Sequence, residues 1–100
     1  MKYSVKVLPE AIEDISIAFN WYERKKIGLG DRFLSELTDY YIRLEINPFT
    51  YSKINDQFRH AILRKFPYVI VYRIVNEDVI VYSVFHTSRS PKQNLGNFYQ

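Results

Sequence analysis

The sequence predicts an α+β fold of order β-α-α-β-β-β, with a helical hairpin packed on one face of a small, mainly antiparallel sheet. Three observations carry that prediction. Tyr68 to Val75 and Val79 to Phe85 are β-branched and aromatic runs separated by the polar break Asn76-Glu77-Asp78, which is the pattern of a β-hairpin. Two stretches of helical apolar spacing precede them, divided by a few residues around Gly28 and Gly30, and a connection that short makes the helices antiparallel neighbours. A length of 100 residues, 47% of them hydrophobic, suffices for one buried core and not for two, so residues 1–100 are expected to form a single domain.

Taken in order, Tyr3, Val5 and Val7 alternate with Ser4, Lys6 and Leu8, which predicts a short strand ended by Pro9. Proline suits a first helical position, and Glu10, Glu13 and Asp14 put negative charge at the positive end of the dipole, so the first helix starts at Pro9. Ala11, Ile12, Ile15, Ala18, Phe19 and Tyr22 form its apolar stripe, and Ile17 and Trp21 are expected to widen it towards a neighbouring helix. The charges from Glu23 to Lys26 read as solvated surface, and Gly28 and Gly30 as the stop. A second helix is expected from near Asp31, its cap, carrying Phe33, Leu34, Leu37, Tyr40, Tyr41 and Leu44 until Asn47-Pro48 closes it. The polar stretch to Gln57 is a loop, and Phe58 to Phe66 a strand with Ala61 and Leu63 on one face and His60, Ile62 and Arg64 on the other. Tyr68 to Tyr72 is apolar on both sides, so the sheet face away from the helices is expected to be covered by a partner or by the tail after Pro91, whose Leu95, Phe98 and Tyr99 are docking points.

Composition narrows the function classes. Cysteine is absent and only His60 and His86 are available, so no disulfide framework, metal site or cofactor is expected. The terminus MKYSVKVLPEA enters a strand alternation with no apolar leader, and no run approaches the roughly 20 apolar residues of a membrane span; a soluble cytoplasmic protein is expected. A net charge of +3 favours an acidic partner, nucleic acid or protein, and nine tyrosines among the aromatics suit surfaces that are half apolar and half wet.

The motifs PEAIEDI, WYE, GLGDRFLSEL, the NP closing the second helix, RKFPYVIVYRI and VFHTSRSPKQ, in this order and over nearly the whole chain, resemble the RelE/ParE superfamily of toxins from bacterial type II toxin-antitoxin modules, often called plasmid stabilisation proteins. The resemblance implies a small basic toxin held inactive by a cognate antitoxin in a toxin-antitoxin hetero-oligomer, and the aromatic sheet face by itself invites a homodimer as the other assembly. It also implies one of two targets, since one branch poisons DNA gyrase without being a nuclease and the other cleaves mRNA on the ribosome. The gyrase-binding reading is preferred, with the mRNA endoribonuclease and an inactive antitoxin-binding remnant as alternatives.

RNA cleavage through the 2′-hydroxyl needs a base, an acid and cations around the phosphate. For the nuclease reading, His86 supplies acid or base and Arg64 and Arg89 the cations. Arg59, Lys65, Tyr68, Tyr72, Arg73, Tyr82 and Lys92 are the candidates for binding target or antitoxin. Against catalysis, nuclease relatives carry an arginine inside the third strand, and the matching position here is Val69, with His86 or Tyr99 left to stand for the histidine or tyrosine near the carboxyl end.

Overall fold

A computed structural model describes residues 2–88. The order is β1 (Ser4–Val7), α1 (Pro9–Lys25), α2 (Leu29–Ile46), a 3₁₀ turn at Pro48–Thr50, β2 (Arg59–Ile62), β3 (Tyr68–Val75) and β4 (Asp78–His86), which is the predicted α+β layout. The strands form one sheet in the order β1-β4-β3-β2. The β2–β3 and β3–β4 pairs are antiparallel, while β1 lies parallel to β4, so the sheet is mixed. The β3–β4 turn is tight because Asn76 adopts a left-handed conformation (φ 56°), which asparagine tolerates better than a branched residue. A register shift opposite Val71 and Tyr72 leaves Tyr82 as a bulged extra residue on β4.

The two faces of β3 bury different things. Tyr68, Ile70 and Tyr72 face the helices and join Ala18, Tyr22, Phe33, Leu37 and Leu44 in the main core. Val69 and Val71 face away and pack with Phe85, and that second cluster is covered by Ile54 and Phe58 of the loop before β2. The chain's own 51–58 loop thus covers Val69, Val71 and Phe85 without a partner, while the tail expected to dock there, with Leu95, Phe98 and Tyr99, lies outside the described residues. Asn55 holds the loop in shape, its Oδ1 accepting from the Gln57 and Phe58 amides at 2.8 and 2.9 Å.

Three other expectations shift. Ile12 and Ile17 are 55% and 62% exposed, so the working stripe of α1 is narrower than its spacing suggests. The second helix starts at Leu29, not near Asp31, and Gly30 is a buried residue within it. The strand expected from Phe58 to Phe66 ends at Ile62. Among the described residues no helix is long and apolar enough to cross a membrane, and no group of metal-ligating side chains comes together.

Candidate functional site

The predicted site residues fall into four separate environments. Tyr68 and Tyr72 are core residues, 5% and 0% exposed, and the expectation that they form a binding surface is overturned by their place beneath the helices. Tyr72 Oη donates to the Pro48 carbonyl at 2.6 Å, and burial holds its phenol far above the ordinary range. It serves to anchor the 3₁₀ turn. Arg59 does the same work from β2: its Nη1 donates to the Tyr51 and Phe49 carbonyls at 2.7 and 3.4 Å, and its guanidinium lies over the Phe49 ring at 5.2 Å. A cation committed in this way is poorly placed to grip a partner.

Arg73 and Tyr82 belong to the face away from the helices, where Tyr82 meets Phe58 edge-on at 5.1 Å. His86 ends β4 opposite Tyr68 and stacks edge-on against its ring at 5.2 Å. Its Nδ1 accepts from the Ser88 amide at 3.0 Å, which assigns the proton of a neutral ring to Nε2. Arg89 and Lys92, and with them Tyr99, lie outside the described residues.

Arg64 and Lys65 are brought together by a feature the sequence reading missed. The segment between β2 and β3 wraps a carboxylate: Glu36 Oε2 accepts from the Arg64 and Lys65 amides at 3.0 and 2.8 Å, and its Oε1 from the Phe66 amide at 3.1 Å. Successive amides turned inwards form an anion cradle, and α2 fills it with its own side chain. The signal was present in the sequence, because Glu36 falls three residues after Phe33 and four before Tyr40, on the buried stripe. A charge at such a position needs buried partners.

Beside this cradle, Glu36, Asp39, Tyr40, Arg43, Arg64 and Lys65 line a cleft of about 340 Å³. The Arg43 guanidinium stands 4.9 Å from the Tyr40 ring centre and is held further protonated by its bond to Tyr51. Tyr40 Oη donates to the Ile62 carbonyl at 3.1 Å, and desolvation raises its pKa. The cleft holds three cations, the exposed carboxylate of Asp39, the cradled one of Glu36 and one bonded phenol. Of the groups proposed to act on one phosphate, Arg64 lines the cleft, His86 is not among its lining residues, and Arg89 lies outside the described residues.

Two more carboxylates are committed to backbone. Glu23, read as surface, has Oε1 accepting from the Gly28 and Gly30 amides at 3.0 and 2.8 Å, and so caps α2 from the end of α1. Asp14 Oδ2 accepts from the Ser83 hydroxyl at 3.0 Å and the Val84 amide at 3.1 Å, on the stretch of β4 that runs past the end of β1. Burial outweighs those bonds and raises the Asp14 pKa.

This arrangement can be set beside known proteins. A family model described as "ParE toxin of type II toxin-antitoxin system, parDE" matches residues 5–91. The chain belongs to the ParE toxin family. No curated protein matches this ParE-family chain in sequence. Among solved structures, a chain of the chromosomal ParDE toxin-antitoxin system from P. aeruginosa superposes with a TM-score of 0.75 at 11% identity, covering 86% of this chain and 97% of that one. A chain of the RelBE2 toxin-antitoxin complex from Mycobacterium tuberculosis superposes with a TM-score of 0.64 at 18% identity, covering 86% and 99%. At these identities the likeness is one of fold, and the ParE fold carries both.

Proposed function

We propose that this ParE-family toxin stops growth by binding DNA gyrase, performs no chemistry of its own, and is silenced by a cognate antitoxin encoded beside it. The observation that carries the reading is Val69. Where the nuclease branch places an arginine inside this strand, residue 69 is a 4% exposed valine packed with Val71 and Phe85 under Ile54 and Phe58. An apolar, covered position supplies no guanidinium for a phosphate. With Arg59 committed to the 3₁₀ turn, what remains for function is shape and positive charge. The antitoxin half of the reading draws support from the two structural neighbours, both solved as parts of toxin-antitoxin systems.

Purified toxin added to DNA gyrase is expected to inhibit supercoiling in proportion to dose while leaving ribosome-bound mRNA intact. Full supercoiling at large molar excess of toxin removes gyrase as the target. The product of the adjacent gene is expected to form a complex at micromolar concentration through an acidic amphipathic segment that folds as it binds. Titration without complex formation removes that half.

A second reading has one observation in its favour. His86 and Arg64 emerge at the same end of the sheet, where the Thr87 amide donates to the Pro67 carbonyl at 2.8 Å. A ribosomal substrate that drew them together would meet an imidazole and a guanidinium, the minimum for proton transfer beside a stabilised phosphate. His86→Ala is then expected to abolish mRNA cleavage with the fold intact; cutting at the parent rate excludes His86 from the mechanism.

A further inference from the structure

We propose that the pole of the molecule formed by the α1–α2 turn and the β2–β3 turn binds the phosphate backbone of duplex DNA directly; the idea rests on the gyrase reading for its place in the toxin's action. Three chain segments meet at this pole. The end of α1 supplies Arg24, Lys25 and Lys26, the start of α2 supplies Arg32, and the β2–β3 turn supplies Arg64 and Lys65, all of them exposed. Packing beneath holds them together: the Phe66 ring lies 4.9 Å from Tyr22 and 5.5 Å from Phe33, and Glu36 binds the amides of residues 64–66.

The carboxylates of the same segments are largely withdrawn. Glu23 is turned onto the Gly28 and Gly30 amides, and Glu36 is 7% exposed inside its cradle. Among the described residues, Asp31 at the start of α2 and Asp39, which shares the cleft with Arg64 and Lys65, are the solvated negative groups against these six cations. At the other end of the molecule, Glu45 and Glu77 lie beside β1, their carbonyls accepting from the Tyr3 and Ser4 amides. Six of the twelve lysines and arginines among the described residues therefore stand at this pole.

Ile27 stands at that end and is 92% exposed. The turn presents it rigidly, since Gly28 takes the left-handed conformation (φ 91°), Glu23 holds the amides that follow, and the Lys26 amide donates to the Tyr22 carbonyl at 3.0 Å. Nothing in the turn itself uses a branched apolar side chain. A projecting apolar residue among cations fits a groove bordered by negative charge, which duplex DNA offers at every step and an acidic protein only where a matching pocket exists.

The test is fluorescence anisotropy of a labelled duplex of about 20 base pairs titrated with the full chain in the absence of gyrase. With about four phosphate contacts, affinity is expected to fall on the order of a hundredfold between 50 and 200 mM salt. Two double variants, Lys25→Ser with Lys26→Ser and Arg64→Ser with Lys65→Ser, are each expected to weaken binding about tenfold at the lower salt and to flatten its salt dependence. Lys2→Ser with Lys53→Ser removes the same charge elsewhere and is expected to bind as the parent. Ile27→Ser is expected to weaken binding without changing the salt slope. Absence of binding at the lower salt, equal weakening by the Lys2 and Lys53 pair, or competition by polyglutamate as effective per charge as DNA overturns the proposal. Intact supercoiling by gyrase alongside the expected DNA results counts against the gyrase reading and leaves this one standing.

Discussion

Glu36 shows how a single side chain replaces secondary structure. Three amides that would otherwise need a strand partner are satisfied by one carboxylate, and the turn between β2 and β3 takes the shape of that carboxylate. Glu36→Ala leaves them without an acceptor in a partly buried site, and a loss of about 2–4 kcal/mol in urea unfolding is expected. A loss below about 0.5 kcal/mol, the ordinary scatter of surface substitutions, means water replaces the carboxylate and the cradle is incidental. Asp14 has the opposite sign of effect. Its folded pKa is raised above 3.8 by burial, so the folded state holds its proton more tightly than the unfolded chain does. Stability from this group is therefore highest below the unfolded value and declines as pH rises through the window between the two, remaining flat above the folded pKa. Asp14→Asn keeps an acceptor and removes the ionisation, so its stability relative to the parent is expected to improve as pH is raised through that window. A stability difference between the two proteins that does not vary with pH would rule this out.

At the scale of elements, the helical hairpin is held by a junction that propensity does not describe. A Cβ at Gly30 would stand 2.7 Å from Phe19 Cδ1 and 2.8 Å from Glu23 Cγ, so glycine is required there for close approach of the helices. Helix propensity alone predicts that Gly30→Ala gains about 1 kcal/mol. Overpacking against Phe19 and the capping Glu23 is expected to reverse the sign, giving a net loss of about 1–2 kcal/mol. Thermal melts that show stabilisation would mean that Phe19 moves aside freely. The same junction explains which element boundaries were legible. The start of α1 is announced by Pro9 and was readable to the residue, as was the end of α2 before Pro48. The start of α2 was not, because its cap comes from Glu23 in the preceding helix and no local residue signals it. The strand expected to run to Phe66 stops at Ile62 for a related reason: after the Leu63 amide bonds to the Tyr68 carbonyl, the amides of residues 64–66 bond to Glu36 and cannot enter a ladder.

The molecule as a whole separates its cations by what they hold. Arg59 is committed to its own chain, while Arg64 and Lys65 meet the cations of the hairpin at one pole. For a toxin that acts on gyrase, induction in bacteria is expected to give a DNA-damage response and filamentation with mRNA intact. Rapid translation arrest with mRNA cut inside codons would transfer the target to the ribosome. By itself the sequence determined the order of elements, the two-sided apolar character of β3 and the family, because periodicity, turn chemistry and motif spacing are local properties of the chain. Only the tertiary structure decided that Tyr68 and Tyr72 are core, that the 51–58 loop covers the second sheet face, and that Glu23 and Glu36 are withdrawn from a pole otherwise rich in positive charge. Spacing can mark a position such as Glu36 as buried, but which amides or rings it meets there is set by how the helices and the loop pack on the sheet, and that packing is not a local property of the chain.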